Sequence, residues 1–398
     1  MNPFLLLGNN FTFMLGFYMV VPFLASFMRE DLRLESAAIG LVLGMRTFAQ
    51  QGLFIIGGAF ADRLGERKLI LLGCAVRILG FLVLAFSFDL ATVLIGACLT
   101  GFAGALFSPA ISSLAAKIGA ADGQGRARFF ARMAVWAEMG AVVGPLAGAL
   151  LLGIGFKAMA LGGAAVFLAA FIVLYLYLPR GEDKKSGHAD NRWWHVFRDR
   201  LFIAFTIAHS GFLFSYNQLY FALPVEISRS GGSDADLAPL FMLASIMLVT
   251  LQVPITRAVQ NLRWATSLSL GFVSMGTAFA LVALFAHSMP MDGILRLAPA
   301  AGMVALLVLG QMIVKPIAMD IVPRMANGRP TGVYYGALAS AGGLTVLVGN
   351  VLLGPLLDQA LAPGTTAFLP WIILAAVPTL CALGIIPIAL RMQRRSQA

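Results

Sequence analysis

Twelve times along this chain, roughly twenty apolar residues pass before the sequence turns polar, about the length an α-helix needs to cross a bilayer. The runs lie at 4–28, 37–61, 69–88, 91–116, 128–153, 157–178, 201–223, 237–257, 264–287, 294–318, 331–357 and 367–390. Of the 398 residues, 60% are hydrophobic and 12% charged, whereas a soluble domain carries about 25% charged residues. So much apolar surface needs lipid to cover it. Inside lipid, backbone N–H and C=O groups must be satisfied within the chain, which leaves helices as the reading of such long runs. The expected fold is therefore an all-α membrane protein of twelve transmembrane helices. The first run has no basic stretch before it and is too long for the core of a cleavable signal. Cys74, Cys98 and Cys381 lie inside apolar runs without C-x-x-C spacing and read as small buried hydrophobes.

The net charge of +10 is explained by where the cations sit. Alternate loops, at 62–68, 117–128, 179–200, 257–263, 324–329 and 391–398, hold 19 of the Lys and Arg residues. The opposite loops hold five: Arg29, Arg33, Lys157, Arg229 and Arg296. The positive-inside bias then places both termini in the cytoplasm. A nucleic-acid role is not needed to explain the charge. The longest connection, 179–200, is polar and of mixed charge, with Trp193 and Trp194 as interface anchors at its end. It separates an N-terminal six-helix bundle, 1–178, from a C-terminal one, 201–390, with a cytoplasmic tail at 391–398. The halves echo each other: Pro109 and Pro316, like Gly125 and Gly332, stand 207 apart, and Tyr18-x-x-x-Pro22 and Tyr220-x-x-x-Pro224 stand 202 apart. A six-plus-six duplication is expected.

Between the second and third runs lies GAFADRLGERK, residues 58–68. Its G-x-x-x-D-R-x-G-x-R-K pattern resembles the signature loop between helices 2 and 3 of the major facilitator superfamily. The resemblance implies two pseudo-symmetric six-helix bundles, and a charge latch built from Gly58, Asp62, Arg63, Gly65, Arg67 and Lys68 that holds the halves together. A carboxylate at a helix boundary pairs well with a neighbouring guanidinium or a helix N-terminus. The alternative is an ordinary positive-inside loop. The matching loop of the second half keeps Arg257 and Arg263 but has no acidic partner. On the fifth run, Gly140, Gly144, Pro145 and Gly148 form G-x-x-x-G-P-x-x-G, similar to the antiporter motif of the same superfamily. Generic close packing of small residues is the competing reading. Where helix 4 of the family would carry an arginine, this chain has Ala97. The segments LGFYMVVPF, GLVLGMRTFAQQGLFIIGGAFADRLG and VRILGF resemble the MdtH-type multidrug efflux branch, which implies drug:proton antiport in a bacterial inner membrane. Two positions depart from that branch: Ala137 and Lys315 stand where it has acidic residues.

Charges within the runs mark candidate sites, since an intramembrane ionisable group is costly. Glu138 stands twelve residues beyond Arg126, about 18 Å deep at 1.5 Å per residue. It reads as the proton-coupling carboxylate or as half of an ion pair with Arg46 or Arg132. Arg46, Gln50 and Gln51 make a polar cluster on the second run, either contacting substrate or bracing helices. Tyr18, Tyr216, Asn217 and Tyr220 are candidates to line a central cavity. Lys315 either faces that cavity, reaches the surface, or pairs with Asp320. Asn350, Gln311 and His209 are fainter candidates, and Arg77 reads as structural. No P-loop, H-E-x-x-H, clustered Cys/His or G-x-S-x-G pattern points to ATP hydrolysis, a metal, a cofactor or an enzyme.

The function read from these residues is secondary active transport: proton-coupled antiport of a small organic compound, by a chain expected to work as a monomer. Four cations lie within the runs (Arg46, Arg77, Arg132 and Lys315) against Glu138 and Asp320. That excess makes an anionic or zwitterionic metabolite, such as a carboxylate siderophore, the alternative cargo. Proton-symport uptake and a non-transporting receptor are the remaining readings.

Overall fold

The computed structural model describes residues 3–54, 66–121, 126–178, 193–286, 293–326, 331–361 and 365–397. Every element among them is helical. Helix α1 runs through Pro3–Val20, tightens into a 3-10 turn at Val21–Phe23 and continues as Leu24–Glu30. Pro22, which cannot donate to the helical ladder, sits in that turn. Helix α2, Ser36–Thr47, passes into a π-helical turn at Phe48–Gly52. Then follow α3 (Glu66–Ala85), α4 (Leu90–Ala121), α5 (Arg126–Leu152), α6 (Phe156–Tyr177), α7 (Arg200–Arg229), α8 (Leu237–Val259), α9 (Trp264–Phe285), α10 (Ala298–Ala326), α11 (Thr331–Asp358) and α12 (Leu369–Gln397). Ten of these are long and apolar enough to cross a membrane. The other two are α2, which approaches the edge of the described residues, and α7, whose middle carries Ser215, Asn217 and Gln218.

Within each half the helices pack on one another. In the first, α1 lies against α5 and α6, and α3 against α4 and α6; in the second, α9 lies against α10 and α12, and α7 against α11 and α12. Exposed Leu150, Leu284, Leu352 and Leu380 project outward, where lipid tails would cover them. The α1–α5 contact depends on the small-residue stripe. A Cβ on Gly144 would meet Tyr18 Cβ at 2.7 Å, and one on Gly140 or Gly148 would run into the backbone carbonyl of Phe11 or Met19. With dispersion and helix–helix fit as the association forces in lipid, such close approach stabilises the pair. The glycines of the stripe, Gly140, Gly144 and Gly148, thus seat α5 on α1, with Pro145 inside the helix between them.

The halves meet along two crossings, α2 with α11 and α5 with α8. At the α2–α11 crossing, a Cβ on Gly40 would meet the Asn350 carbonyl, and one on Gly354 would meet Ala37 Cα at 2.5 Å. The crossing is tied at the end of the molecule far from both termini. There Arg29 Nη2 donates to Ser36 Oγ at 2.7 Å, and the Ser36 backbone N–H donates to Asp358 Oδ2 at 3.3 Å. Ser36 Oγ also donates to Asp358 Oδ1, and Arg29 Nη1 lies 3.8 Å from the same oxygen. Deeper in, Asn217 Nδ2 donates to Thr47 Oγ1 at 3.2 Å and Ser340 Oγ to the Gly52 carbonyl at 2.9 Å, while within the second half Gln218 Nε2 donates to Asn350 Oδ1 at 3.1 Å.

Candidate functional site

Between the two crossings, polar and aromatic side chains from both halves converge at mid-helix. Tyr18 comes from α1 beside its 3-10 turn, Tyr216 and Tyr220 from α7, and Glu138 from α5. The hydroxyls of Tyr18 and Tyr220 lie beside each other, and Glu138 is within electrostatic reach of Tyr18, Tyr216 and Tyr220. Rings of Phe17, Tyr18, Tyr220 and Phe241 form a box across the halves, with centroids 5.1 Å (Phe17–Tyr18), 6.3 Å (Phe17–Tyr220), 6.1 Å (Tyr18–Phe241) and 5.4 Å (Tyr220–Phe241) apart. Edge-to-face and tilted contacts of this kind are favourable beyond the area they bury.

Glu138 looks across the interface. Its carboxylate lies beside Ser245 of α8 and is in electrostatic reach of Lys315 of α10. Of the partners open to Lys315 from the sequence, Asp320 is engaged elsewhere, on Arg324 one turn along the same helix. The carboxylate and the ammonium thus belong to different halves. Gln311, one turn from Lys315, lies beside Tyr216.

The α2 cluster lies on the other wall. Arg46 is 3% exposed. Its Nη1 donates to Gln50 Oε1 at 3.3 Å, and its guanidinium carbon lies 5.2 Å from the Phe17 ring centre. The π turn that follows inserts one extra residue into the helical register, a feature that recurs at functional sites. It carries Gln50 and Gln51; Gln51 packs against Gly343 of α11, where a Cβ would stand 3.3 Å from its own Cβ. Asn217, expected to line the cavity, is buried and places its amide on Thr47 across the interface.

Of the residues assigned to the latch, Gly58, Asp62, Arg63 and Gly65 lie outside the described residues. Arg67 Nη2 donates to the Tyr175 carbonyl of α6 at 2.7 Å, with its guanidinium 5.7 Å from the Tyr175 ring. Arg67 therefore contacts its own half, and Lys68 begins α3 beside it. Ser245, Phe241 and Thr47 escaped sequence reasoning. A serine, a phenylalanine or a threonine in an apolar helix is ordinary, and only the fold brings them to this interface. Among the described residues no cluster of His, Cys, Asp and Glu could hold a metal ion.

Two pseudo-symmetric six-helix bundles with a polar and aromatic cluster at their interface are the architecture of a membrane transporter. Comparison with known proteins agrees. The sequence profile of the Major Facilitator Superfamily matches residues 6–350, and the chain belongs to that superfamily. An uncharacterised MFS-type transporter of Mycobacterium tuberculosis is 33% identical over 89% of this chain and 85% of its own length. Multidrug resistance protein MdtH of Klebsiella pneumoniae is 28% identical over 95% of this chain and 91% of its own. Among solved structures, a mutant of the nucleoside transporter NupG has a TM-score of 0.82 at 13% identity, covering 97% of this chain and 99% of that one. A POT family transporter in complex with 5-aminolevulinic acid has a TM-score of 0.81 at 14% identity, covering 98% and 96%. At such identities these two structures speak for the fold alone.

Proposed function

We propose that this transporter exports a small organic compound in exchange for protons, with Glu138 as the proton carrier. The observation that carries the reading is the position of Glu138. It is a lone carboxylate on α5, partly buried at mid-helix, opposite Ser245 and Lys315 of the other half. When ionised, the carboxylate attracts Lys315 and draws the two halves together around the site. When it takes up a proton, that attraction goes. A group whose interactions differ between two arrangements of the halves shifts the balance between them as it titrates. Tyr18, Tyr216 and Tyr220, with Arg46, Gln50 and Gln51, form the walls that cargo would meet.

The name multidrug resistance protein, borne by the MdtH relatives, supports drug-like compounds as cargo. The excess of Arg46 and Lys315 over Glu138 favours compounds carrying negative charge as well. In this reading the moving bodies are 1–178 and 201–390, joined by a linker at 179–200 and followed by a tail at 391–398. The protein works as a monomer in a bacterial inner membrane, with both termini in the cytoplasm.

The test is flux in proteoliposomes under an imposed pH gradient, with a panel of cationic, zwitterionic and anionic compounds. Proton-driven flux is expected in the wild type. In Glu138→Gln it should fall to the level of protein-free vesicles while compound binding persists. Undiminished coupled flux in the variant would remove Glu138 from the proton path.

A further inference from the structure

Arg77 of α3 plays no part in the proposed coupling, yet it is 2% exposed and lies in the middle of a membrane-spanning helix. Its Nε and Nη1 find no hydrogen-bond partner, and neither does Nε of Arg46. The two guanidiniums are neighbours: both approach the Phe17 ring, Arg46 at 5.2 Å and Arg77 at 5.9 Å, and each lies within electrostatic reach of the other. Gly104 of α4 closes the floor, since a Cβ there would meet Arg77 Nη2 and Gln50 Cγ at 3.1 Å each. Rings of Phe107 and Phe167, 5.2 Å and 5.3 Å from the Arg77 guanidinium, complete the wall. Among the described residues no carboxylate pairs with either arginine, and Glu138 is turned to Ser245 and Lys315.

Two like charges in so dry a place are unfavourable without a counter-charge. Aromatic faces offset part of the cost, and the Gln50 carbonyl takes one donor of Arg46, but donors remain unused on both. A planar carboxylate matches the guanidinium fork and would engage donors from both arginines at once. We infer that Arg46, Arg77 and Gln50 form a subsite for the carboxylate group of the cargo, with the neighbouring rings of Phe17, Tyr18, Tyr220 and Phe241 packing against its apolar body. Phe17 belongs to both walls, so one amphiphilic organic anion spans the two. The inference rests on the interface site being the cargo site.

The experiment uses the purified full chain in detergent. Its thermal midpoint is followed with benzoate, 1-naphthoate and indole-3-acetate, each beside its uncharged primary amide, and with chloride and sulfate. Carboxylates should raise the midpoint and amides should not; each of Arg46→Gln and Arg77→Gln should weaken the apparent affinity about tenfold or more, the loss expected for a charge-assisted hydrogen bond. Arg77→Lys, which keeps the charge without the fork, should lose less. Without ligand, Arg77→Gln should melt above the wild type, because it removes an uncompensated buried charge.

Stabilisation by chloride or sulfate but by none of the carboxylates would make this an inorganic-anion site and overturn the inference. So would equal stabilisation by the amides, unchanged carboxylate affinity in both glutamine variants, or an unliganded Arg77→Gln that melts below the wild type, which marks a brace. Proton-driven flux in wild-type vesicles is a separate arm. Flux without carboxylate stabilisation sinks the subsite and leaves the transport reading standing. Carboxylate stabilisation lost in the variants, with no proton-driven flux, leaves the subsite and sinks the coupling.

Discussion

Buried charges in this molecule fall into two kinds, and the difference predicts what their removal does. Near the far end of α7, Glu226 and Arg229 form a closed pair, with Arg229 Nη2 2.6 Å from Glu226 Oε1 and Nε 2.8 Å from Oε2. Arg229 Nη1 also donates to the Phe285 carbonyl of α9 at 3.1 Å. The side chains are 0% and 2% exposed, so solvent screening hardly weakens the pair. Removing one partner of such a pair costs about 3–5 kcal/mol because the other charge is stranded. Glu226→Gln is therefore expected to lower the thermal midpoint in detergent, and Glu226→Gln with Arg229→Met together to recover part of the loss. Arg46 and Arg77 should behave in the opposite sense. The sequence exposes Arg46, Arg77, Glu138 and Lys315 readily, since any charge in an apolar run stands out. It does not say which of them face one another. That is why Arg77 reads as structural from sequence but lies beside Arg46, and why Lys315 has three open placements until the fold brings it within electrostatic reach of Glu138.

Among the elements, twelve helices follow from hydropathy alone, because lipid permits a helix no alternative way to satisfy its backbone. Their irregularities were less legible. Pro22 announces the break in α1, but nothing in FAQQG announces a π turn, which is set by how α2 packs on α4 and α11. The glycine stripe on α5 was legible as a motif, and the structure gives it a partner in α1. Gly144→Val would add volume where a single Cβ already meets Tyr18 at 2.7 Å. Overpacking of this kind costs about 1–3 kcal/mol. If Tyr18 lines the cargo path, as proposed, the same substitution should also weaken transport, with stability and flux measured on one preparation. Gly140→Ala, which runs into the Phe11 carbonyl, should fall between it and the wild type.

On the scale of the whole molecule, duplication and the number of spans were written in the chain, whereas the arrangement of the halves was not. One sequence must support both openings of an alternating carrier, so no local pattern encodes which is populated. The structure has the far end drawn together by Arg29, Ser36 and Asp358. Cysteines placed at 36 and 358 and joined by a short thiol crosslinker should stop flux, and reductant should restore it; the native Cys74 and Cys381 are buried and Cys98 is half-buried. Continued flux in the crosslinked protein would mean that this end does not open during transport. Asp358→Asn, by contrast, should favour separation of the far end, measured by spin-label distances between α2 and α11.

In the proposed alternation, a contact between residues 322 positions apart would also keep time for the machine. A carrier that alternates must undo the Ser36–Asp358 contact in every cycle and make it again before the next, so its lifetime becomes the waiting time of each passenger. A tighter contact there would turn the same protein into a slower one with its cargo site unchanged.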